Sequence, residues 1–191
     1  MPKVGMEPIR RSALVEAAIA EIGAAGHLDV TVGQIAKRAG VSSGLAHHYF
    51  GGKNQILVAT MRHILREFGR EVAVALRGAD TPVGRAHAIV AASFSPSCFE
   101  PATVRAWMML YAHAPTHDNM RRLLVLYQRR LRSNLTHALA PLSPQPKADA
   151  ETLGALIDGF YLRAALARDM DAKKACDMAQ QALDRMIEGA R

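Results

Sequence analysis

Residues 31–53, TVGQIAKRAGVSSGLAHHYFGGK, carry the signals of two short helices joined by a sharp turn. The Thr31 hydroxyl can cap the first helix, and Gln34, three positions on, can reach back to complete a capping box. Ile35, Ala36 and Ala39 then form an apolar stripe. Gly40 falls at the C′ position, where a left-handed backbone is wanted and a side chain is penalised, and Val41 plugs the gap between the helices. Ser42 starts the second helix, Leu45 and Tyr49 recur at i, i+4, and Phe50 anchors its end before Gly51-Gly52 breaks it. Ser43, Gly44, His47 and His48 remain on the outer face.

Two helices in this arrangement are how small proteins present a helix to the major groove of DNA. Small residues at the start of the second helix allow close backbone approach, and its free N–H groups and positive dipole end favour a phosphate. Base readout is expected from Ser43, His47 and His48. Lys53 after the glycine pair, and Arg10-Arg11 before the first long helix, are placed to neutralise phosphates and fix register without reading sequence. The competing interpretation is an ordinary αα-hairpin with a solvated polar face.

Thr31, Ile35-Ala36, Ala39-Gly40-Val41-Ser42, Gly44, Tyr49-Phe50 and Lys53 resemble the signature of the TetR family of one-component bacterial repressors. Further blocks, MPKVGMEPIRR, HYFGGKNQILVATMRHI, VRAWMMLY, RRLRSNL and LIDGFYLRAALA, resemble its BetI subgroup, the choline-responsive repressors of glycine-betaine synthesis genes. The resemblance implies a homodimer on a near-palindromic operator, with Ser43, Gly44, His47 and His48 facing bases. It places Arg10, Arg11, Thr31, Ser42, Tyr49 and Lys53 in the rest of the DNA contact. Choline, or its oxidised form betaine aldehyde, is the implied effector, and no cofactor is expected. One departure bears on specificity: where relatives commonly read Ile-Ser-His-Tyr-Phe, this chain has Ala46-His47-His48-Tyr49-Phe50.

The 191 residues, half of them hydrophobic, can bury a sizeable core without staples. Two cysteines, Cys98 and Cys176, form no CxxC pair, suggest a reducing cytosol, and read as small buried apolar residues. No export signal or apolar run of membrane-spanning length is found, so a cytoplasmic protein is expected. A net charge of +7 favours polyanionic partners. The excess is not concentrated in the helix-turn-helix stretch: through position 53, Lys3, Arg10, Arg11, Lys37, Arg38 and Lys53 stand against Glu7, Glu16, Glu21 and Asp29. The motif therefore carries the DNA-binding expectation more than the charge does.

Along the chain, Pro8 to Ala25 reads as a first helix, striped by Leu14, Ala17, Ala18, Glu21 and Ile22 and ended by Gly26. A long helix runs from Lys53 to about Arg77, with Ile56, Leu57, Thr60, Met61, Ile64, Leu65 and Phe68 inward and Arg62, Arg66 and Arg70 outward. Thr81-Pro82 is an N-cap followed by proline at N1, opening a helix to about Phe94 that SPSCFEP interrupts. Helices follow from Pro101 to about His113, from about Asp118 to Leu139, from about Ala148 to Arg168 after the PLSPQP loop, and from Ala172 to Gly189 behind Asp171. The expectation is an all-α chain with a three-helix DNA-binding head, residues 1–53, and a six-helix ligand-binding and dimerisation body, residues 54–191. The apolar run ALIDGFYLRAALA suits a subunit contact; the competing interpretation is that it lies in the middle of one subunit.

Of ten aromatic residues, seven fall beyond the long helix that ends near Arg77: Phe94, Phe99, Trp107, Tyr111, Tyr127, Phe160 and Tyr161. A quaternary ammonium cannot donate hydrogen bonds and is held by aromatic faces, each contact contributing about 0.5–2 kcal/mol, helped by a nearby carboxylate. Trp107 and Tyr111 share a helix face at i, i+4, and Asp158 sits in an apolar helix near Tyr161. These four are the candidate ligand residues. The plainer alternative pairs Asp158 with Arg163, its own or its twin's, and leaves the aromatics as core. Arg121, Arg122, Arg129, Arg130 and Arg132 point several ways round one helix, as a solvated face would. His47-His48 and His113/His117 lack the partners a metal site needs, and no phosphate loop or nucleophile motif supports an enzyme. Two rivals remain: a TetR-type repressor for another hydrophobic or cationic ligand, and a helical module whose arginines engage acidic protein or lipid.

Overall fold

The computed structural model describes residues 6–26, 30–167 and 169–189. The opening MPKVG and Arg168 lie outside these residues, as do Lys3 and Asp29 of the charge tally. Among the described residues the chain forms nine α-helices: α1 (Met6–Ala25), α2 (Val32–Arg38), α3 (Ser43–Phe50), α4 (Lys53–Arg77), α5 (Pro82–Ser93), α6 (Pro101–His113), α7 (Asp118–Leu139), α8 (Pro146–Leu166) and α9 (Ala172–Glu188). This is the expected all-α order.

Caps set the boundaries. Thr31, Ser42, Thr81 and Asp171 each accept a backbone N–H at the start of a helix, an interaction contributing about 1 kcal/mol apiece. Two starts differ from the sequence expectation. Helix α1 begins at Met6 rather than Pro8, because a proline in the first turn removes an N–H that has no partner there anyway. Helix α8 begins at Pro146 rather than Ala148, for the same reason.

Helix α1 braces α2 and α3, and its other flank lies along α4 and α6. The α1–α6 crossing is close. A Cβ added at Gly23 would stand 2.6 Å from both Cα and Cβ of Ala102, and the Arg105 guanidinium of α6 donates to the Gly23 carbonyl. The body core is built where α7 runs along α8, α5 meets α7 and α9, and α6 meets α8. Leu14, Ile22 and Ile35 of α1 and α2 with Ile56 of α4, and Leu110, Leu135, Leu153, Ile157 and Leu183 of the later helices, are all fully buried.

On α4, Ile56, Leu57, Thr60, Met61 and Ile64 are buried and Arg62, Arg66 and Arg70 are exposed as expected, but Leu65 and Phe68 are only half-buried. They line a cavity of about 260 Å³ between α4 and α7, shared with Val72, Leu126 and Tyr127. Cys98 is buried, whereas Cys176 is half-buried, its Sγ receiving the Gln180 amide at 3.6 Å. No helix among the described residues is long and apolar enough to cross a membrane.

Candidate DNA interface and ligand site

The helix-turn-helix forms as the residues dictate. The Thr31 hydroxyl accepts from Gln34 N at 3.1 Å, and the Gln34 side-chain Oε1 accepts from Thr31 N at 2.7 Å. Gly40 takes φ +68°, which lets Val41 N reach the Ala36 carbonyl at 3.0 Å and closes α2. Ser42 caps α3 through Leu45 N at 3.2 Å. Gly51, at φ +81°, ends α3 by donating to the His47 carbonyl at 2.7 Å.

On α3, Ala46 and Phe50 are buried, while Ser43, Gly44, His47 and His48 are exposed and Tyr49 is half-buried. Both imidazoles therefore face solvent. Thr31 and Ser42 are exposed, but their hydroxyl oxygens are already engaged as cap acceptors. Arg10 is half-buried on α1, and Lys53 opens α4 in a half-buried position. Arg11 has a role that its place in the sequence did not reveal. Its guanidinium lies 4.4 Å over the Phe50 ring, donates to the Tyr49 carbonyl, and pairs with Glu7 at 3.6 Å. It thus clasps the C-terminal turn of α3, where a cation is electrostatically favoured. Arg38, on α2, pairs with Glu21, which gives the polar member of the α1 stripe its partner.

In the body, α6, α7 and α8 bring the four candidate ligand residues together. Trp107 and Tyr111 stack edge-on at 5.9 Å between centroids, and Trp107 lies 6.4 Å from Tyr161. A fifth residue, not in the sequence-based set, joins them: the Tyr127 ring meets Trp107 at 4.6 Å and its hydroxyl donates to Asp158 Oδ1 at 3.2 Å. Asp158 is thus partnered by Tyr127 rather than by its own Arg163, which is exposed. The signal for Tyr127 lay in the α7 stripe of Met120, Leu123, Tyr127, Leu131 and Leu135, all buried.

Burial raises the Asp158 carboxyl above the usual carboxylate range, with the Tyr111 and Tyr127 hydroxyls pulling it back. Burial, and then the Asp158 charge, raise the Tyr111 and Tyr127 phenols well above theirs. Tyr161 is engaged elsewhere: its hydroxyl donates to the Ser93 carbonyl at 2.6 Å and to Cys98 O at 3.2 Å, so its ring is a wall and its oxygen is structural. From outside, a cavity of about 420 Å³ between α7 and α8 reaches Tyr127 and Asp158, past Gly154, Ala155, Arg129 and Arg132. The α7 arginines are all exposed, Arg121 paired with Asp118 and Arg132 with Glu151. Among the described residues no group of three or more His, Cys, Asp or Glu could hold a metal.

Residues 14–60 match the model of the bacterial regulatory proteins of the tetR family, and residues 82–188 match that of the BetI-type transcriptional repressor C-terminal domain. The HTH-type transcriptional regulator BetI of Brucella abortus (strain 2308) is 50% identical over 192 aligned positions, covering 99% of this chain and 97% of that one. The chain belongs to the TetR family, BetI type. The BetI of Rhizobium meliloti (strain 1021) is 49% identical over 168 positions, covering 87% of this chain and 83% of its own. The same fold recurs in a transcriptional regulator from Rhodococcus sp. Rha1 (TM-score 0.81, 20% identity, 94% of this chain and 97% of that one). A TetR regulator from Haloarcula marismortui ATCC 43049 is equally close (TM-score 0.81, 18% identity, 96% and 98%). As a BetI-type TetR regulator, the chain is a DNA-binding transcriptional repressor and not an enzyme.

Proposed function

We propose that this BetI-type repressor binds a near-palindromic operator as a homodimer in the cytoplasm and is released by choline. Residues 1–53 act as the DNA-binding unit and 54–191 as the ligand-binding and dimerisation unit. Ser43, Gly44, His47 and His48 face base edges. Arg10, Thr31, Ser42, Tyr49 and Lys53 lie along the phosphates, and Arg11 holds the end of α3 in place while adding positive charge beside it. The gene target in this reading, choline-to-glycine-betaine synthesis, is the one that the resemblance to the BetI subgroup implies.

The observation that carries the effector is the convergence of Trp107, Tyr111, Tyr127 and Tyr161 near the half-buried Asp158 carboxyl. A trimethylammonium group suits such a site because ring faces and a carboxylate attract it without requiring a donor. The choline cation, once beside Asp158, also compensates a carboxylate that burial disfavours. Release requires that choline bind the DNA-free conformation better than the DNA-competent one, so operator and choline must weaken each other's binding by the same factor.

The test is a gel shift with the DNA upstream of the chain's own gene, with and without choline, followed by calorimetry against a panel of cations and neutral hydrophobic compounds. Retardation that choline abolishes supports the proposal; retardation indifferent to choline removes the effector and leaves the repressor. The apolar cleft of Leu65, Phe68 and Val72 between α4 and α7 favours one alternative, a hydrophobic effector, which the same panel separates.

A further inference from the structure

Two polar atoms in the ligand cluster are buried without a hydrogen-bond partner: Trp107 Nε1 and the Tyr111 hydroxyl. Trp107 is only 4% exposed. Leaving such groups unpaired is costly, and a body packed this tightly has no other orphaned side-chain polar atom among its described residues. The two belong to one place. Their rings are in edge contact at 5.9 Å, and the Tyr111 hydroxyl is near enough to the Asp158 carboxylate, the Gln128 amide and the Trp107 indole to feel each of them. None of these approaches reaches hydrogen-bond geometry.

An indole N–H can only donate, so whatever satisfies Trp107 must be an acceptor. Asp158, the negative element of the cluster, already accepts from Tyr127. Resting on the cation reading above, we propose that Trp107 Nε1 and the Tyr111 hydroxyl read an oxygen atom carried by the ligand on a short tether from its ammonium centre. The site then takes small oxygenated ammonium ions and discriminates against alkyl ammonium ions of the same size. The cation is placed by Asp158 and the ring faces, and the oxygen by the indole and the phenol. The α7–α8 cavity is lined by Asp158 and Tyr127, and the Tyr127 ring in turn meets Trp107 at 4.6 Å.

The discriminating pair of probes is choline and n-propyltrimethylammonium, which differ by a hydroxyl against a methyl group. Calorimetry on the full chain is expected to give a choline preference of about 5- to 150-fold, the range set by leaving a buried donor unsatisfied. Tyr111→Phe, which keeps the ring and removes the hydroxyl, is expected to bring choline affinity down towards that of the propyl analogue. Equal affinity of the unaltered protein for the two probes overturns the inference and leaves the cation site standing, and needs no variant to be folded. A Tyr111→Phe variant that loses both probes alike also overturns it. Failure of both probes to bind the unaltered protein instead removes the cation reading on which it rests.

Discussion

The Asp158 carboxyl is raised first by burial, with the Tyr111 and Tyr127 hydroxyls opposing, so folding favours its protonated form. Stability from a raised carboxyl is complete below the ordinary value of 3.8 and is lost as pH rises through the folded value. Asp158→Asn keeps an acceptor for the Tyr127 hydroxyl and removes the charge. Its stability advantage over the parent is therefore expected to be near nil at about pH 4 and to grow towards neutral pH, as read by denaturant unfolding across that range. The same variant should lose choline binding, since the cation is attracted by the ionised form. At the other end of the chain, His47→Ala is expected to relax specificity at one or two base pairs at a cost of about 1–3 kcal/mol. Lys53→Ala should weaken all sequences alike and lower the salt slope by about one. Equal losses on operator and random DNA for His47→Ala would remove that imidazole from base readout.

Signals that lie within one turn of helix were legible before any coordinates: the Thr31–Gln34 box, Gly40 at C′, the Ser42 cap, and the burial of Ala46 and Phe50 that turns His47 and His48 outward. Contacts between elements were not, because periodicity says which face is buried and not what it meets. The Arg11 clasp joins residues 38 positions apart, and the Tyr127–Asp158 bond spans 31. The Gly23–Ala102 crossing likewise shows in the sequence only as one more glycine in a helix, where it costs about 1 kcal/mol of propensity relative to alanine. That crossing fixes how α1, and with it the head, sits on α6, the helix that carries Trp107 and Tyr111. Gly23→Ala would improve propensity yet drive a methyl into Ala102 backbone and side chain, so α1 must lift from α6. A net loss of about 1–3 kcal/mol is expected from this overpacking. Operator affinity should fall more than choline affinity, comparing gel shifts with calorimetry. A second path from site to head runs through the Tyr127 ring, which meets Phe68 of α4 edge-on at 5.5 Å. Phe68→Ala should leave choline bound but less able to release DNA.

A repressor on a two-fold operator must hold two α3 helices about 34 Å apart on one side of the duplex, so its subunit contact matters as much as its reading head. The surface of the last two helices offers the means. Leu162 is 49% exposed and Leu166 80% exposed on α8, and Met178 is 39% exposed on α9, in a chain whose other long helices keep most large apolar residues inside. Large aliphatic side chains left in water on neighbouring helices are what a self-complementary helical contact covers, each burying roughly 1.5–3 kcal/mol when fully enclosed. Substituting Leu162 and Leu166 together by glutamate leaves the subunit core untouched, because neither side chain contributes to it, and places like charges against each other across a two-fold axis. The double variant is expected to sediment as a folded monomer with an unchanged helical circular dichroism spectrum. It should lose operator retention at least a hundredfold more than it loses binding to random DNA, since only the paired heads gain from correct half-site spacing. A double variant that remains dimeric would move the subunit contact to the exposed Val125 and Leu126 face of α7, and with it the direction in which the two heads must swing when ligand binds.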